Sequence, residues 1–112
     1  AYVADFESGL QILDISDPAY PVILGGCDTP GRALEVVVKG DLAYVADGNS
    51  LQVIDISLSN NPALVGSYAA PDSVVDLAVA GELAVLAAHA SGLLLIDSGN
   101  PAEPTLVGSL DT

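Results

Sequence analysis

Apolar residues along this chain gather in short blocks instead of recurring at helical spacing. Ala33–Val38, Leu42–Ala46, Leu51–Ile56 and Ala63–Tyr68 are rich in Val, Ile, Leu, Ala and Tyr, and each is closed by Gly, Pro, Asn, Asp or Ser. Blocks of about 5 to 7 such residues bounded by turn formers have the length and composition of strands. Four strands are therefore predicted over this stretch. Their connectors, Lys39-Gly40-Asp41, Asp47-Gly48-Asn49-Ser50 and Ser57–Pro62, carry the turn chemistry that joins antiparallel neighbours. A helix is hard to place anywhere.

The blocks repeat. Leu10-Gln11-Ile12-Leu13-Asp14-Ile15-Ser16 returns as Leu51-Gln52-Val53-Ile54-Asp55-Ile56-Ser57, and more loosely as Leu93-Leu94-Leu95-Ile96-Asp97-Ser98, which spaces the three aspartates by 41 and 42 residues. Upstream, Tyr2-Val3-Ala4-Asp5 matches Tyr44-Val45-Ala46-Asp47, with Val85-Leu86-Ala87-Ala88 as a degraded third copy. Downstream, Pro21 through Gly25 matches Pro62 through Gly66 and Pro104 through Gly108. Four antiparallel strands recurring at this period are the signature of a β-propeller blade, in which neighbouring blades pack face to face. Burial of both blade faces explains why Leu93-Leu94-Leu95-Ile96 is apolar throughout instead of alternating.

These residues resemble the LVIVD repeat, a bacterial and archaeal propeller repeat whose naming strand here reads Leu51-Gln52-Val53-Ile54-Asp55. The resemblance runs through the Tyr-Val-Ala-Asp strand, Gly9-Leu10, the exit Asp14-Ile15-Ser16-Asp17-Pro18 and the Pro21–Gly25 strand. It implies an all-β chain of propeller blades, the first strand of each innermost and the fourth outermost. It further implies a secreted or surface-attached protein, often part of a larger multidomain chain, and it brings no catalytic residues.

Strand counting gives residues 1–29 as a partial blade lacking its inner strand, with 30–70 and 71–112 as complete blades. Together they make about two and three-quarter repeats, roughly 11 strands, one fragment of a propeller domain. A propeller needs at least about 4 blades to go round its axis, so this is an incomplete ring. The expectation is an excerpt of a longer propeller; the alternative is a short protein whose missing strand comes from a neighbouring copy. Either way, the outward faces of the first and third blades should expose apolar surface, with further protein against at least one of them.

Charge narrows the partners. Fifteen Asp and Glu stand against two Lys and Arg, a net charge of −13. Such a surface repels phosphate backbones and anionic lipid, so no nucleic acid and no polybasic membrane anchoring is expected. Hydrophobic residues make up 51%, which is ample for a core. No apolar run approaches the roughly 18 residues of a membrane span, so direct membrane insertion by this segment is not expected, and any signal or anchor would lie outside it. Cys27 is the single cysteine, which excludes an intrachain disulfide and reads as a small core residue of an outermost strand.

Candidate chemistry is sparse. His89 is the only histidine, in a loop, and no Gly-x-Ser-x-Gly elbow occurs, so no catalytic residues and no enzyme are expected. Asp14, Asp55 and Asp97, followed by Ser16, Ser57 and Ser98, read as turn residues accepting backbone N–H groups. Asp5 and Glu7 in one loop, and Asp47 and Asn49 in its copy, supply oxygen ligands of the kind calcium takes, although the third copy has no carboxylate. Calcium is thus the one conceivable cofactor. Glu35 and Asp76 are equivalent carboxylates of the innermost strands, which would ring a channel mouth or bond the backbone of an adjacent blade. The expected function is a non-catalytic binding or structural scaffold module, extracellular or at the cell surface, with protein partners engaged through remaining blades or neighbouring subunits. Two alternatives remain open: a segment of a propeller enzyme whose active site lies in other blades, and a calcium-dependent adhesion module.

Overall fold

Gly40 and Gly81, both at φ +60°, open two-residue turns into Asp41 and Glu82, and these turns close equivalent hairpins. A positive φ at the first turn position is nearly free for glycine and matches the twist of the flanking strands. The computed structural model describes residues 1–58, 60–89 and 91–110. The connector between the third and fourth strands of the second repeat, the loop 88–92 and the end of the third blade each include residues outside that range.

Eleven strands form three antiparallel sheets among the described residues. The first holds β1 (Tyr2–Ala4), β2 (Leu10–Asp14) and β3 (Val22–Cys27). The second holds β4 (Ala33–Lys39), β5 (Leu42–Asp47), β6 (Ser50–Asp55) and β7 (Ala63–Ala69). The third holds β8 (Val74–Ala80), β9 (Leu83–Ala88), β10 (Gly92–Asp97) and β11 (Thr105–Leu110). Every sheet is a simple meander in chain order, and no helix interrupts the described residues. The predicted strands of the second repeat differ from β4–β7 by at most one residue at either end.

The sheets stack as blades. First strands β4 and β8 lie beside one another, and the second strand of each repeat lies against the first strand of the next, β1 with β4 and β5 with β8. Hydrogen bonds repeat this contact: Ala33 N donates to Phe6 O (2.9 Å), and its equivalent Val74 N donates to Gly48 O (2.8 Å). Strand alternation then divides the middle sheet between two cores. Ala43, Val45, Ile54 and Ile56 pack with Leu10 and Ile12 of the first sheet. Tyr44, Ala46, Leu51 and Val53 pack with Ala84, Leu86, Leu94 and Ile96 of the third.

Among the described residues, each end sheet packs against one neighbouring sheet. Val3 is 39% exposed where its equivalent Val45 is fully buried, and Ile15 is 54% exposed where Ile56 is 4%. Pro62 and Pro104 are likewise buried, whereas the equivalent Pro21 is exposed. Bulges recur as faithfully as the strands. Pairing shifts between Ile12 and Leu13, Val53 and Ile54, and Leu95 and Ile96, each shift leaving one extra residue in the fourth strand and sharpening its twist.

Candidate functional site

The polar side chains that recur in the repeat meet at the turns and at the connectors between blades. Asp14 Oδ1 accepts a hydrogen bond from Ser16 N (2.9 Å), and Asp55 Oδ1 accepts one from Ser57 N (2.8 Å). In the third blade Asp97 Oδ1 accepts from Gly99 N at 2.9 Å, not from Ser98. The donor must lie two residues on, so Ser98 is one position too early for this bond. It takes the place of Ile56 instead, is buried, and its hydroxyl donates to Glu82 O (2.9 Å). Stabilisation of the charged form by the Ser16 and Ser57 N–H groups, with help from their hydroxyls, lowers the Asp14 and Asp55 carboxyls below their ordinary 3.8.

Asp47 has a different environment from the exposed loop carboxylates Asp5 and Glu7. It is only 1% exposed, and both of its oxygens are engaged, Oδ1 by the Thr29 hydroxyl (2.7 Å) and Oδ2 by Gly31 N (2.8 Å). This side chain pins the connector that leads from the first blade into the second to the end of β5. A cation at Asp47 would have to displace those two bonds. Asn49 is exposed, and its backbone carbonyl accepts from Ala70 N (2.8 Å).

The third blade makes the same closure with its groups exchanged. Ala88 stands where Asp47 does, and the acid has moved to the connector, where Asp72 Oδ2 accepts from the Ser91 hydroxyl. The matched loss of one acid and gain of the other is the sequence signal that identifies the pair. It emerges only when the second and third copies are compared column by column.

The first-blade turn is held from outside. Phe6 adopts φ +47°, the left-handed position that Gly48 (+63°) fills in the second blade. Backbone bonds in both directions between Phe6 and Ala33 hold it there. The Arg32 guanidinium lies 5.0 Å from the Phe6 ring centroid and 3.6 Å from Glu7 Oε1. Lys39 donates from its ammonium to Gly81 O across the gap between the second and third blades. Beside that bond a groove of about 330 Å³ opens, floored by Leu42 and Tyr44 and rimmed by Lys39 and Glu82.

The inner-strand carboxylates follow equivalent bulges, with Glu35 opposite Ala46 and Asp76 opposite Ala87. Both are exposed. Asp76 Oδ1 accepts from its own neighbour Leu77 N (2.8 Å), so its backbone bond is local and does not reach an adjacent blade. Cys27 is half-buried against the first core, and burial together with the charge of Asp28 raises its thiol above the ordinary 9.0, which keeps it protonated at neutral pH. His89 is exposed in the loop after β9. Among the described residues, no three His, Cys, Asp or Glu side chains come close enough together to hold a metal ion.

The comparison with protein families agrees with this geometry. The LVIVD repeat model matches three times, over residues 1–29, 30–70 and 72–112. No curated protein matches the chain.

Proposed function

We propose that this chain, which belongs to the LVIVD-repeat family, is a non-catalytic scaffold module whose loop rims bind protein outside the cell or at its surface. One observation carries the reading: the aspartates that recur in every repeat, Asp14, Asp55 and Asp97, each hold the backbone of their own turn. Repeated polar positions thus serve blade geometry. Variation is left to the rim, where Phe6, Gly48 and His89 occupy one repeat position. Rigid blades carrying differing loops suit recognition better than one fixed chemistry.

Partner chemistry follows from charge. The chain carries −13, and its two basic side chains are engaged within it, Arg32 with Phe6 and Glu7 and Lys39 with Gly81. A partner presenting Lys and Arg fits this surface, with association weakened by salt. The test is binding of a lysine-rich peptide against a glutamate-rich peptide of equal length. The expected result is salt-sensitive binding of the first alone. Reproducible substrate turnover by the purified chain, abolished by His89→Ala, would overturn the non-catalytic reading.

A further inference from the structure

The groove of about 330 Å³ beside the Lys39–Gly81 bond lies between two complete four-stranded blades. Leu42 and Pro101 give it apolar walls, and Tyr44 forms its floor. Tyr44 is 3% exposed, yet its hydroxyl has no hydrogen-bond partner among the described residues. No described side-chain oxygen or nitrogen is both sealed from solvent and unpartnered, so the hydroxyl is not sealed in. The little of Tyr44 that solvent reaches lines the groove, and its oxygen opens there. A polar atom at the base of an apolar groove takes its partner from whatever enters.

Two carboxylates stand at the third-blade edge of this groove. Ser98 donates to the Glu82 carbonyl twice, from its N–H (2.8 Å) and its hydroxyl (2.9 Å), while Gly99 N donates to Asp97 Oδ1 (2.9 Å). The backbone that carries one acid and the side chain of the other are thus both anchored. They approach one another at Gly99: a Cβ there would lie 3.0 Å from Glu82 Oε2 and 3.1 Å from Asp97 Oδ1. The equivalent residues, marked by the same bond to the repeated aspartate, are Ser16 and Ser57. The third blade alone carries no side chain at this position, which leaves the space between its two acids open. Neither acid has a cationic partner among the described residues, and two carboxylates this close favour a cation beside them.

We propose that this groove takes one lysine side chain of a protein partner, its methylene stem against Leu42 and Pro101 and its ammonium donating to Glu82, Asp97 and the Tyr44 hydroxyl. The charge of the chain, −13, draws a cation toward it, and Lys39 does not fill the place because its ammonium rests on the Gly81 carbonyl. Lysine suits the groove better than arginine. The Tyr44 ring is buried and presents no face for a guanidinium to stack on, whereas an ammonium on a flexible stem carries three donors for the three acceptors. Such a lysine would be one contact of the basic partner proposed above, and the inference rests on that reading.

Fluorescence anisotropy of a labelled lysine-rich peptide, titrated with the purified chain at low salt, tests it. Glu82→Gln should weaken binding by about tenfold. Asp28→Asn, which removes an equal charge from the exposed connector at the other end of the blades, should weaken it by less than about twofold. Tyr44→Phe and Gly99→Ala leave the net charge unchanged, and each should cost about threefold or more. Tyr44→Phe should also keep the wild-type unfolding midpoint, since its hydroxyl has no described internal bond to lose. If Gly99→Ala lowers that midpoint, Tyr44→Phe alone decides between the outcomes. Equal losses in Glu82→Gln and Asp28→Asn, or undiminished binding by a charge-neutral variant that folds as the wild type does, would overturn the groove and leave a basic partner standing. Failure of the wild-type chain to bind the peptide at all would overturn both. Tighter binding of an arginine-rich peptide through the same residues, or binding of a glutamate-rich peptide that Lys39→Gln abolishes, would give the groove to another group and overturn the assignment to lysine.

Discussion

Asp47 is the side chain on which most depends. A buried carboxylate is tolerable only because Thr29 and Gly31 supply two donors to it. Asp47→Ala leaves the Gly31 N–H without its acceptor, and chemical denaturation should show a loss of about 2–3 kcal/mol. Asp47→Asn, which keeps one acceptor oxygen, should lose less. The turn acids Asp14 and Asp55 make a pH-dependent contribution instead. Their folded pKa values lie below the ordinary 3.8, so the stability they add is present above that value and fades as pH falls through the folded value. The stability difference between wild type and Asp55→Ala should accordingly be constant above about pH 5 and shrink below about pH 4. The role of Asp55 was legible in the sequence because its partner lies two residues away and the pattern recurs. That of Asp47 was not, because its hydroxyl partner lies 18 residues away across a blade connector.

Strands are the scale at which the sequence speaks most plainly. Turn residues punctuate every 5 to 7 apolar positions, so β4–β7 could be placed to within one residue without any long-range information. Which face an apolar residue uses is less legible. Ile15 and Ile56 are identical in type and in repeat position, yet one is 54% exposed and the other 4%. Their difference comes entirely from whether another blade lies against them. Ile56→Ala should therefore cost about 2–4 kcal/mol in denaturation, while Ile15→Ala should stay within about 0.5 kcal/mol. The recurrent bulges were also hidden, since the extra residues Leu24, Val65 and Val107 have the same character as their strand neighbours.

For the whole molecule, charge is the main term that sequence alone exposes and structure does little to offset. Among the described residues the one side-chain ion pair is Arg32 with Glu7, at 3.6 Å and solvent-exposed, which contributes little. The unfolding midpoint should rise as sodium chloride screens the remaining carboxylates, and calcium at matched ionic strength should add nothing further while Asp47 remains bonded to Thr29 and Gly31. A larger rise at millimolar calcium would place a cation at the loops of Asp5, Glu7, Asp47 and Asn49. The connector closures have one more consequence, for anyone who would take the chain apart into modules. Matched as a sequence unit, the second repeat begins at residue 30, but Thr29, which satisfies half of its buried acid, belongs to the unit before it. The third unit, from 72 to 112, holds both Asp72 and Ser91. Excised at the sequence boundary, the second unit would part with its own fastening and the third would carry its fastening along, so the piece that can be moved is not the piece that repeats.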